Sequence, residues 1–104
     1  MIVAIVTFTL PKPATVAEIT KTFQTTAPRY QGLKGLLRKN YWLSEDGRRA
    51  GGIYLWESRA DAERVYTADW RKMVTDKYGT PPSIEYLHAP VTVDNREGTI
   101  SVAA

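Results

Sequence analysis

The 104-residue chain is 43% hydrophobic and 11% aromatic, enough for one domain with a real core rather than a disordered segment. Its formal net charge of +3 is dispersed, without the clustered basic stripe that nucleic acid requires, so no nucleic-acid partner is expected. Cys is absent and His occurs once, which excludes disulfides, thiolate catalysis and a Cys- or poly-His-ligated metal site within one chain.

The opening MIVAIVTFTL is apolar for only about ten residues, lacks a basic leader, and runs into Pro-Lys-Pro. It reads as a first strand, not as a signal or membrane anchor. With no transmembrane segment in view, no membrane partner is expected and the default location is the cytoplasm. Both alternating sets of this strand, Ile2/Ala4/Val6/Phe8 and Val3/Ile5/Thr7/Thr9, are largely apolar, as in a central strand. Thr15-Val-Ala-Glu18 forms a capping box, and Val16, Ile19, Phe23 and Ala27 repeat at helical spacing. Pro28 restricts Ala27 and ends or kinks this helix, which leaves Arg29 to Gly32 as a turn.

Gly35 to Ser58 carries the strongest signal, a β-hairpin feeding a second helix. Asp46-Gly47 predicts a two-residue type I′ turn. That turn pairs Glu45 with Arg48, Trp42 with Gly51, Tyr41 with Gly52, Lys39 with Tyr54 and Leu37 with Trp56. One face then carries Leu37, Lys39, Tyr41, Gly52, Tyr54 and Trp56; the other carries Leu36, Arg38, Asn40, Trp42, Gly51, Ile53 and Leu55. Gly51-Gly52 inside a strand marks a bulge, a close backbone approach or room beside a large ring, and a bulge there would exchange the two lists.

Ser58 opens a second helix with Ala62, Val65 and Tyr66 on its apolar stripe. Thr67-Ala68-Asp69 breaks its axis, and Trp70, Met73 and Val74 continue as another helical turn or two up to Gly79. Ser83 to Ala89 and Val91 to Asp94 form a last strand interrupted by Pro90. The order β-α-β-β-α-β predicts an α+β ferredoxin-like sandwich over residues 1–95, with 96–104 as a tail that is either mobile or a short strand added to a neighbour. Helices on one side leave the other sheet face uncovered, and a homodimer is expected to cover it.

The stretches TAPRYQGLKGLLRKNYWLSEDGRRAGGIYLWES (26–58), the helix region 63–70 and IEYLHAPVTVDN (84–95) resemble the YdhR-type monooxygenases, a branch of the dimeric α/β-barrel superfamily. The resemblance implies two ferredoxin-like protomers joined into a barrel, each with a pocket between sheet and helices. It also implies oxygenase activity, in a superfamily that includes cofactor-free oxygenases, haem-handling proteins and small-molecule binders. Residues 62–73 contain no His, which counts against haem.

Each candidate site residue has two readings. His88 is the one side chain that ordinarily titrates near neutrality, hence the candidate acid-base group; the alternative is a strand-end His satisfied by backbone or water. Tyr41, Tyr54, Trp56, Tyr66, Trp70 and Tyr86 exceed what a small core needs and read as substrate-binding walls for a planar aromatic ligand, with plain core as the alternative. Arg38 and Asn40 alternate along a strand and either stabilise an oxyanion or pair with Glu57 or Glu85. The resulting expectation is a monooxygenase acting on an aromatic or polyketide-like molecule without a bound cofactor or metal. The rival is a non-catalytic module that sequesters or senses an aromatic metabolite, and a third reading is a structural dimer whose rings are core.

Overall fold

A computed structural model describes residues 1–103. The elements run β1 (Ile2–Thr9), α1 (Val16–Tyr30), β2 (Leu36–Leu43), β3 (Arg49–Trp56), α2 (Arg59–Val65), α3 (Ala68–Tyr78), β4 (Ser83–His88), β5 (Val91–Asp94) and β6 (Thr99–Val102). Four strands form one antiparallel sheet in the order β2-β3-β1-β4, with β1 inside as its two apolar sets require. This is the ferredoxin-like sandwich, with α2 and α3 together standing where the sequence suggests one broken helix. No helix among the described residues is long and apolar enough to cross a membrane.

The helix starts behave as their caps dictate. Thr15 and Glu18 exchange both bonds of the capping box, Ser58 Oγ accepts from the Asp61 N–H, and Thr67 Oγ1 accepts from the Trp70 N–H. Thr67 thus ends one helix axis and begins the next. The expected stripe of α1 is rotated: Ile19, Phe23 and Tyr30 are buried, whereas Val16 and Ala27 face outward. Pro28 does not end α1, which runs on through Tyr30, because Pro28 stands only two residues before the end and the helix beyond it is short. As a result Tyr30 faces the sheet.

The hairpin pairs Lys39 with Tyr54, Tyr41 with Gly52 and Trp42 with Gly51, the register expected from the sequence. Its turn differs. Only Gly47 has positive φ, the Gly47 N–H donates to Ser44 O (2.9 Å), and the Asp46 carboxylate accepts from Ser44 Oγ and the Arg48 N–H. Asp46 bonds its neighbours locally and so stays at negative φ, where type I′ would need it positive. The irregularity lies between Leu36 and Arg38, so Leu36 rather than Leu37 faces Trp56, and Gly51-Gly52 is regular strand. At Gly51 a side chain has no room: a Cβ would stand 1.8 Å from Val6 O on β1.

The helix-side face collects Ala4, Val6, Phe8, Ala50, Tyr54 and Trp56 with Ile19, Phe23, Tyr30, Ala62, Tyr66, Trp70 and Val74 into one core. On the other face Val3, Ile5 and Leu55 are half-buried, and Ile53 and Leu87 are 44% and 42% exposed. After Pro90 the chain leaves the sheet. β5 and β6 pair only with each other, so the expected division at residue 95 falls in the turn of a hairpin, and its facing pairs Val91/Val102 and Val93/Ile100 are exposed. A Pro without an N–H cannot extend the ladder of β4, which explains the departure.

Gly51→Ala should lower unfolding stability by about 3 kcal/mol or more, because the new methyl meets strand backbone that cannot turn aside. Urea denaturation measures this; an unchanged midpoint would mean that β1 and β3 are not in the contact described.

Candidate functional site

Alternation along β2 and β3 sends Lys39, Tyr41, Gly52 and Tyr54 toward the helices. There α1 presents Phe23, Thr26 and Tyr30, and α3 presents Trp70, Met73, Val74, Lys77 and Tyr78, so that these side chains with Val6 and Phe8 enclose a chamber. Phe23 stacks on Tyr41 (4.5 Å between centroids), Tyr30 meets Tyr54 edge-on (5.9 Å), and Phe8 stacks on Tyr78 (4.1 Å). Tyr41 Oη bonds Thr26 Oγ1 (2.7 Å), and the Trp70 indole N–H donates to Tyr30 Oη (3.0 Å), so the rings are held by their polar ends as well as by packing.

Lys39 occupies the middle. Its Nζ lies 3.5 Å from the ring centre of Tyr30, 3.7 Å from Tyr41 and 4.6 Å from Tyr54, with no ion pair among the described residues. Gly52 leaves the space this needs, since a Cβ there would stand 2.8 Å from the Tyr54 ring and 3.1 Å from Lys39 Cε. Burial pushes the Lys39 amine down to about 7, while the three ring faces favour its ammonium form and oppose that shift. Burial raises the phenols of Tyr41 and Tyr54 and pushes Tyr78 up to about 12, so they serve as donors rather than bases near neutrality.

The free volume is about 30 Å³, room for one water and well short of the several hundred Å³ of a ligand site. A ring can enter only by displacing the flexible lining side chains Lys39, Met73 and Lys77. At the mouth Arg29 donates to Met73 Sδ and Lys77 Nζ to Thr25 Oγ1 (3.1 Å), bridging α1 and α3 with cationic groups. Among the described residues no carboxylate lines the chamber.

Of the expected walls, Tyr41, Tyr54 and Trp70 line this chamber. Trp56, Tyr66 and Tyr86 stand beside it: Trp56 is fully buried and donates its indole N–H to Tyr66 Oη (3.1 Å), and Tyr86 lies under the Arg59 guanidinium. The expected catalytic grouping is not assembled. His88 ends β4 opposite Ile2 on the helix side, but exposed at the rim of the sheet and away from the chamber lining. Asn40 faces Ile53 and Arg38 faces Leu55, so the pleat turns both toward the helix-free face. Neither pairs with Glu57 or Glu85. No group of His, Asp and Glu among the described residues could hold a metal ion.

Lys39 lies on the face that the hairpin alternation assigns to it, although the sequence does not single it out as a site residue. The usable signal was a cation alternating between positions whose neighbours are all rings. Tyr30 was hidden by the rule that a Pro ends a helix.

The protein is thus an α+β sandwich with a ring-lined chamber between its sheet and helices. The family profile described as "Putative mono-oxygenase ydhR" matches residues 3–80, and the chain belongs to that family. A monooxygenase from the gene ActVA-Orf6 of Streptomyces coelicolor, solved in complex with nanaomycin D, superimposes with a TM-score of 0.64 at 23% identity, covering 85% of this chain and 86% of that one. A protein described as "Putative antibiotic biosynthesis monooxygenase" from Bordetella bronchiseptica gives 0.63 at 20% identity, covering 85% and 95%. Rv0793 from Mycobacterium tuberculosis gives 0.60 at 16%, covering 86% and 95%. These likenesses establish the fold. No curated protein matches the sequence significantly.

Lys39→Met should stabilise the fold at pH 6 by about 1–3 kcal/mol, because it removes a charge that burial disfavours. The folded amine binds its proton less tightly than the unfolded one, so wild-type stability should rise between pH 7 and about 10.5 and the advantage of the variant should vanish across that window. Denaturation at several pH values checks this; a pH-independent difference would mean that Lys39 titrates as an ordinary exposed Lys.

Proposed function

We propose that this protein is a monooxygenase for a planar aromatic or polyketide-like molecule bound between the sheet and α1/α3, working without a bound cofactor. The observation that carries this is the chamber, whose walls are rings with anchored polar ends and whose mouth is cationic, in a chain of a monooxygenase family. Rings accept a planar ligand face-on or edge-on, and the basic rim favours one bearing an acidic hydroxyl. The structural neighbour solved with nanaomycin D supports the same ligand class.

In such chemistry an acidic hydroxyl of the substrate loses its proton and the electron pair delocalises onto a ring carbon. That carbon passes an electron to dioxygen and combines with it to give a hydroperoxide. Loss of water leaves a ketone: one oxygen atom stays on carbon and the other departs as water. Dioxygen is the sole oxidant, and the protein contributes binding, exclusion of water and control of one proton.

The same reading makes the protein a homodimer. Ile53, Leu87 and the half-buried Val3, Ile5 and Leu55 leave an apolar sheet face uncovered, and a lone two-stranded hairpin such as β5–β6 is marginal unless it packs on something.

Two measurements test these statements. Incubation with a hydroxyanthrone should consume dioxygen in proportion to protein and yield one ketone per dioxygen; ligand-dependent quenching of tryptophan emission without oxygen uptake would instead identify a binding module. Sedimentation should give twice the 11.7 kDa chain mass at micromolar concentration, and Ile53→Asp should shift it toward monomer. A wild-type monomer would contradict the dimer.

A further inference from the structure

We propose that Lys39 is the proton acceptor of the site: its neutral amine takes the proton of an acidic hydroxyl on the bound ring compound, and the resulting ammonium pairs with the oxyanion. This rests on the reading of the chamber as an aromatic site and specifies the substrate as one that ionises there. In the step the ligand O–H bond breaks, an N–H bond forms at Nζ, and the electron pair of the O–H bond remains on oxygen.

Three observations converge. The amine stands inside the chamber, 3.5 to 4.6 Å from the faces of three tyrosine rings, so a ring compound entering by displacing it must lie beside it. It has no anionic partner among the described residues: the titratable groups facing it are Tyr30 from α1, Tyr41 from β2, Tyr54 from β3, and Lys77 and Tyr78 from α3, and none is a carboxylate. Ring faces hold an ammonium only by their quadrupoles, so an oxyanion delivered by the ligand is a stronger partner than any the chain supplies. Finally, burial leaves the amine partly neutral near pH 7, whereas buried phenols stay protonated and His88 is exposed outside the lining. A base near the operating pH is what proton abstraction needs.

The test uses para-nitrophenol, whose ionised form is yellow, and para-nitroanisole, which has no proton to give, at the pH where free nitrophenol is half ionised. Binding to the wild-type protein should increase the yellow absorbance and should be at least tenfold tighter than binding of the anisole. With Lys39→Met the absorbance should fall on binding, because an apolar chamber without the amine takes the neutral form, and the two compounds should bind alike. Lys39→Arg keeps a cation that cannot accept a proton. It should retain the yellow complex but release a proton to a weakly buffered indicator for each neutral phenol bound, where the wild type releases none. His88→Gln should behave as wild type.

Circular dichroism confirms that each variant is folded. A yellow complex that survives Lys39→Met, or one that is lost in His88→Gln, overturns the proposal. Proton release by the wild type reduces Lys39 to an anion anchor and equally overturns it. If neither compound binds, as judged by tryptophan quenching, the chamber is not an aromatic site and the functional reading falls with it; tight anisole binding without any yellow complex removes the role of Lys39 alone.

Discussion

A lysine amine enclosed by ring faces, with no anion beside it among the described residues, constrains much of the sheet–helix interface. To place Lys39 there, β3 must carry Gly52 opposite Tyr41, since any side chain would strike the Tyr54 ring. The cage also needs Tyr30, and Tyr30 reaches it only because α1 continues past Pro28. Tyr30 is in turn fixed by the indole N–H of Trp70, which ties α3 to α1 across the chamber. The Thr67 cap sets where α3 begins and hence which α3 residues face the sheet. One glycine, the end of α1, an indole hydrogen bond and a helix cap are thus coupled to one side chain.

The energetic logic is a deliberate imbalance. Burying an amine without a partner costs stability, and the cation–ring contacts recover only part of it at roughly 0.5–2 kcal/mol each. A core of this size could fill the same volume with Leu or Met at no such cost. Retaining a charge-bearing group in an otherwise apolar chamber is the pattern of sites whose missing partner arrives with the ligand. Tyr41 and Tyr54, with phenols kept protonated by burial, then supply hydrogen-bond donors around the same point.

Much of this was legible in the residues. Alternation and the Asp-Gly turn gave the hairpin register, and the capping boxes gave the helix starts, because these depend on neighbours within a few positions. What escaped depends on distant contacts. The burial of Tyr30 rather than Ala27 is decided by the sheet beneath α1, which outweighs the local effect of Pro28. Of the bulge, close backbone approach or room beside a ring that Gly51-Gly52 suggests, the structure has the last two, with Val6 O approaching Gly51 and the Tyr54 ring beside Gly52, while the irregularity itself lies between Leu36 and Arg38. Arg38 and Asn40 are polar residues in a strand, yet the pleat that puts Lys39 inside necessarily turns them out. The hairpin β5–β6 spans the division drawn at residue 95, since its pairing joins residues on both sides of it.

The central claim is that ligand binds among the rings on the helix side and not on the uncovered sheet face. The three Trp indole N–H groups report on this separately: Trp70 lines the chamber, Trp56 is sealed in the core beside it, and Trp42 alternates onto the opposite face with its N–H buried and unpartnered. In a proton–nitrogen correlation spectrum titrated with β-naphthol, the account predicts that the Trp70 indole signal shifts with saturation while that of Trp42 stays in place. Movement of Trp42 with an unmoved Trp70 would contradict it.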